Sequence, residues 1–125
     1  MELNEYMELA ARTDIPKTQI DGLRDAAMGM VGEAAEALDH MKKVLEQGHD
    51  LDFEKLIEET GDNLWYIAKM SRYCGVTLED VARRNIEKLR KRYPEGFSVE
   101  RSVNRVDELS KPGRGTRGAG STGVR

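Results

Sequence analysis

Glu33 and Glu36, in "GEAAEALDHM", stand three residues apart where the chain otherwise reads as helix interior, and Glu59 and Asp62, in "EETGDNLWY", repeat the spacing. Residues three apart share one face of an α-helix, so each pair sets like charge beside like charge, and Glu58, four before Asp62, adds a further neighbour. Each such pair costs about 0.2–0.5 kcal/mol when exposed, and more when it is partly desolvated beside apolar residues. Other acids in the chain have a cation four residues on: Glu79 has Arg83, Asp80 has Arg84, and Glu87 has Lys91. Four residues after Glu33, Glu36, Glu59 and Asp62 come Ala37, His40, Asn63 and Tyr66, and only Glu59 has a local cation, Lys55, one turn before it. A shared neutraliser accounts for two such pairs. Several carboxylates at one level make a hard-oxygen site suited to Mg2+ or Mn2+, which take carboxylates and waters and accept phosphate as a further ligand. The bland alternative is a solvated acidic seam.

A second group of polar residues follows in "NIEKLRKRYPEGF", where Asn85, Lys88 and Arg92 fall on one helical stripe. Arg grips phosphate oxygens as a fork and Lys as a point charge. An ordinary solvated face would look the same.

The elements that must carry these groups are helical. Pro occurs only at positions 16, 94 and 112, so 17–93 lacks the strongest helix breaker. The pattern predicts a first helix over about 2–12, ended by "TDIPK", and a second over about 20–47, stopped at Gly48. A third over about 51–74 is capped by Asp50 or Asp52 and ended by Gly75. A fourth follows Thr77 over about 78–92, and a short fifth runs from Ser98 to about Leu109. On a helical wheel Leu23, Ala26, Ala27, Met30, Val31, Ala34, Ala37, Leu38, Met41, Val44 and Leu45 form one apolar arc, with Glu33 and Glu36 at its edge. Gly29 and Gly32 remove bulk on that flank, leaving room for a backbone or a ligand. Folded back as an antiparallel hairpin, the second and third helices bring Glu36 and Glu59 to similar heights at about 1.5 Å per residue. The wide apolar arc has few elements in one chain to cover it, which favours self-association.

With 125 residues, 38% apolar and 34% charged, the chain suits one soluble helical domain, placed at 1–110. Residues 111–125, "KPGRGTRGAGSTGVR", cannot bury apolar area and are expected to be a disordered tail. Removing that tail's four cations from the formal charge of −3 leaves about −7 on 1–110. An acidic body does not attract a polyanion by its own field, so nucleic acid is not the expected partner and a phosphorylated ligand needs a bridging cation. Cys74 is the only cysteine, so no intrachain disulfide forms. The N-terminus lacks the pattern of a secretory signal, and no run approaches the roughly 18 apolar residues of a membrane span. The expected setting is cytoplasmic.

Taken in order, "GEAAEALDHMKK" (32–43), "LIEETGDNLWYI" (56–67) and "NIEKLRKRYPEGF" (85–97) resemble the MazG-like family of all-α nucleoside triphosphate pyrophosphohydrolases. The resemblance spans roughly residues 4–106 and leaves the tail out. It implies that Glu33, Glu36, Glu59 and Asp62 are the catalytic, Mg2+-holding quartet. It also implies that Asn85 and Lys88 contact the triphosphate or sugar, supported by Arg92 and Tyr93. The implied reaction is hydrolysis of (deoxy)nucleoside triphosphates between the α- and β-phosphates, and the implied assembly is a homodimer or homotetramer whose facing hairpins complete a four-helix bundle. Two positions depart from the family pattern: Gly32 stands at the first acid of EExxE, and Met7 follows Tyr6 where many relatives have Gln. Within the fold, phosphoribosyl-ATP is the alternative substrate. A di-iron bundle would need two Glu-x-x-His motifs, and only Glu46–His49 has that spacing, at a helix end. A non-catalytic oligomerisation or adaptor module, binding a basic partner through its acidic seam, is the alternative outside enzymes. Met28, Met30 and Trp65 fit core or interface better than a base pocket.

Overall fold

Each helix begins and ends where its terminal residues can satisfy the backbone groups that a helix leaves unpaired. In the computed structural model, which describes residues 1–104, α1 spans Leu3–Ala11, α2 Gln19–Gln47, α3 Phe53–Tyr73, α4 Leu78–Arg92 and α5 Val99–Val103. The Glu2 amide donates to Glu5 at 3.3 Å in a capping box that opens α1. Thr18 accepts from the Asp21 amide at 3.3 Å, and Asp52 from the Lys55 amide at 3.2 Å, opening α2 and α3. Of the two aspartates considered for the third helix, Asp52 is therefore the cap. Gly48, at φ 71°, ends α2 in the left-handed conformation that glycine adopts without a Cβ clash. Thr77 and Asp80 cap α4 reciprocally: the Asp80 amide donates to Thr77 at 3.0 Å and the Thr77 amide to Asp80 at 3.2 Å. The last residues expected in the fifth helix, and the tail from 111, lie outside the described residues.

The fold is all-α, and no strand occurs among the described residues. They divide into two compact units, the first from Met1 to Arg83 and the second from Arg84 onward, with α4 contributing to both. In the first unit, α2 and α3 form an antiparallel hairpin and α1 lies against α3. Met7, Ala68 and Leu78 form the buried core, with Tyr6, Leu64 and Ile67 packed on it. Met7 is thus a core residue, which accounts for an apolar side chain at this position.

The hairpin seam repeats every seven residues. A Cβ on Gly22 would lie 2.2 Å from the Tyr73 ring, and one on Gly29 would lie 2.1 Å from the Tyr66 ring. Two tyrosines seven apart on α3 therefore lie flat on the α2 backbone at two glycines seven apart. Ala26, between those glycines, is fully buried. The same register continues to Glu33 opposite Asp62 and Glu36 level with Glu59. Gly32, on the same flank of the helix as Gly29, differs: among the described residues nothing lies within 4 Å of its Cβ position. His40, buried on α2, accepts from the Asp52 amide at 3.0 Å and ties the start of α3 to its neighbour.

Among the described residues, the apolar arc of α2 is covered on one side and bare on the other: Ala26 is buried and Leu23, Met30, Ala37, Met41 and Val44 are half-buried. Val31 (71%), Leu38 (69%) and Leu45 (73%) are exposed, as are Met28 on the same helix and Phe53 and Ile57 on α3.

Candidate metal centre

The register places Glu33 on α2 across from Glu59 and Asp62 on α3. One carboxylate oxygen from each of the three lies within 4.8 Å of the others. Glu33 and Glu59 are half-buried, and Asp62 is exposed. Glu36 is not in this trio but lies within its field, contributing to the repulsion felt by Glu33. Burial, then the charges of Asp62, Glu59 and Glu36, and hydrogen bonding with Glu59, hold the Glu33 carboxyl above its ordinary range. The anticipated local cation is present: Lys55 meets Glu59 at 3.2 Å, and that contact raises the lysine's own pKa. Among the described residues, Lys55 is the one ammonium paired with these four acids, which leaves most of their negative charge without a partner there.

These residues fit a hard divalent cation. The donors are all carboxylate oxygens, they converge from two helices, and they repel one another when ionised. An ion held by Glu33, Glu59 and Asp62, with Glu36 one turn along α2, would relieve the cost. The field of the cluster extends to α1, where burial and then the charge of Asp62 push the Tyr6 phenol up.

Beside Glu33 and Asp62 opens a concavity of about 440 Å3, also lined by Thr13, Trp65 and Tyr66. Trp65 and Tyr66 meet edge to face with centroids 4.9 Å apart. The Trp65 indole NH donates to the Thr13 hydroxyl at 2.8 Å and to the Ala10 carbonyl at 3.2 Å. Trp65 is half-buried, so it serves both packing and the concavity wall. Met30 is half-buried, its carbonyl accepting from Asn63 at 3.2 Å, and Met28 is exposed. Thr13 and Tyr66 had no distinguishing signal in the sequence beyond an N-terminal break and an aromatic doublet.

Asn85, Lys88, Arg92 and Tyr93 belong to the second unit. Asn85 and Lys88 are exposed, and Arg92 and Tyr93 are half-buried. The Tyr93 ring packs on Phe97, centroids 5.4 Å apart, and its amide donates to the Leu89 carbonyl at 2.7 Å.

A family model described as "MazG nucleotide pyrophosphohydrolase domain" matches residues 23–97, a span that includes all eight of these candidate residues. The chain is also 36% identical over 90 residues to "Gene 37 protein" of Mycobacterium phage L5, covering 69% of this chain and 79% of that protein. No solved structure matches the chain.

Proposed function

Since the chain belongs to the MazG nucleotide pyrophosphohydrolase family, we propose that it hydrolyses (deoxy)nucleoside triphosphates between the α- and β-phosphates, using Mg2+, for which Mn2+ can substitute. The observation that carries this reading is the convergence of Glu33, Glu59 and Asp62 within 4.8 Å across the hairpin. Glu33, Glu36, Glu59 and Asp62 would hold the ion. An ion bound there would supply charge neutralisation for the phosphates and would acidify a water.

The chain's own residues supply the rest. Water adds across the α–β anhydride, one P–O bond breaks, and a monophosphate and pyrophosphate form. A carboxylate of the quartet accepts the proton released. Such reactions demand positioning and charge neutralisation more than covalent catalysis. Asn85 and Lys88 contact the triphosphate or sugar, with Arg92 and Tyr93 supporting them. The acidic body is consistent with this chemistry, because the cation joins an anionic substrate to an anionic protein.

The exposed apolar stripe on α2 supports a homodimer or homotetramer in which facing hairpins complete a four-helix bundle. A cytoplasmic setting suits a nucleotide substrate, and no helix among the described residues is long and apolar enough to cross a membrane.

The test is pyrophosphate release from each of the eight common ribo- and deoxyribonucleoside triphosphates with Mg2+. Wild type should release pyrophosphate from at least one. Glu36→Gln and Asp62→Asn should remain folded yet lose about 100-fold or more, since outer partners of metal ligands alone are worth 10–100-fold. Equal turnover in all three proteins would reject the site.

A further inference from the structure

Residues 12–18 join α1 to α2 and lie outside the span matched by the family model. They are nevertheless tethered by several buried and half-buried contacts. Asp14, whose side chain is 4% exposed, accepts from the Lys69 ammonium at 2.7 Å and pairs with Arg72. Lys69, 2% exposed, also pairs with Asp25 on α2, which meets Lys17 at 3.0 Å. The Lys17 amide donates to the Tyr73 hydroxyl at 3.1 Å. The Lys69 ammonium further lies 5.1 Å from the centre of the Trp65 ring.

Burying an ammonium is costly, and a buried ion cluster is often replaceable by apolar side chains without loss of stability. Stability alone therefore does not explain Lys69. Its geometric effect is specific: it fixes Asp14 from one side and the Trp65 ring from the other. Between them sits the hydrogen bond from Trp65 to Thr13, and both of these residues line the concavity beside Glu33 and Asp62.

We infer that Lys69 is a positioning residue that locks the 12–18 linker and Trp65 into one wall, and that this wall receives the nucleoside half of the substrate. This rests on the proposed hydrolase reading. If the carboxylate-held cation engages the polyphosphate, the part of the substrate that extends into the adjacent concavity is the nucleoside. Trp65 and Tyr66 offer apolar aromatic surface there, on which any base can stack, and the Thr13 hydroxyl at the rim can both donate and accept.

Trp65 is the single tryptophan of the chain, so its emission reports directly on the wall. The experiment titrates the full chain, in Mg2+, with a non-hydrolysable nucleoside triphosphate and separately with inorganic tripolyphosphate, and measures KM and kcat with the best triphosphate substrate. The nucleotide should change Trp65 emission and tripolyphosphate should not. In Lys69→Met the nucleotide midpoint and KM should rise about tenfold, as for loss of one well-placed pocket contact. The kcat and the tripolyphosphate inhibition constant should move less than about twofold, because the metal-holding carboxylates are untouched. Thr13→Val, an exposed change that does not disturb the buried ions, should shift the same constants in the same direction and stands in if Lys69→Met does not fold.

Turnover by wild type with Trp65 emission unmoved by nucleotide, or variants that shift nucleotide and tripolyphosphate alike, would overturn the wall and leave the hydrolase reading intact. A Trp65 response to nucleotide without any turnover would instead sink the hydrolase reading and leave the wall standing.

Discussion

Among individual residues, Glu33 has the clearest electrostatic signature. Its folded-state pKa lies above the ordinary carboxylate value because of burial and of the charges of Asp62, Glu59 and Glu36. A raised pKa means that folding disfavours the charged form of this group relative to the unfolded chain. The stability this group contributes to the metal-free protein is present below the ordinary glutamate range and is lost as pH rises through the raised value. A divalent cation among the carboxylates reverses the balance, competing with protons for the same oxygens. The rise in Tm on adding MgCl2 should therefore be larger at about pH 7.5 than at about pH 5, where the carboxylates approach their protonation range. Glu33→Gln should raise the Tm of the metal-free protein and diminish the Mg2+ response. Thermal melts with EDTA and with MgCl2 at both pH values check this, and an identical Mg2+ shift at the two values would place the ion elsewhere.

For the helices, the informative feature is the seam of the α2–α3 hairpin. Gly29 is filled by the Tyr66 ring and Gly32 faces open space, although the two glycines are equivalent in the sequence. Gly29→Ala should destabilise the chain by about 1–3 kcal/mol, because an added methyl must displace a packed ring. Gly32→Ala should raise stability by up to about 1 kcal/mol, through helix propensity and a less flexible unfolded chain. Urea melts of the two variants separate these outcomes, and equal effects would show that Tyr66 does not pack on Gly29. Because Tyr66 also lines the concavity beside Glu33 and Asp62, this seam links hairpin register to the geometry of the site.

At the scale of the whole molecule, the described residues leave an apolar stripe of α2 bare. Val31, Leu38 and Leu45 fall seven residues apart on α2 and are each about 70% exposed, a pattern that pays little in a monomer. The chain should sediment at a multiple of its 14.1 kDa mass, with a Tm that rises with protein concentration. Val31→Lys with Leu38→Lys should shift it to monomer. Analytical ultracentrifugation decides, and a wild type that stays monomeric at high concentration would end the bundle proposal.

Much of this protein is legible in its residues. Helix ends follow from local chemistry: Thr18, Asp52 and Gly48 each satisfy backbone groups of their own chain segment, so α2 and α3 fall where the pattern put them. The acid spacing is local as well, since positions three apart share a face in any helix. What needed the tertiary structure depends on which helix lies against which. Register across the hairpin decided that Glu33, Glu59 and Asp62 converge while Glu36 stands beside them, and that a tyrosine fills Gly29 and not Gly32. It also makes Lys69, in a run that reads as plain helix, a buried ammonium between Asp14 and Asp25. Those partners lie some fifty residues away along the chain, a distance over which neither periodicity nor propensity carries information.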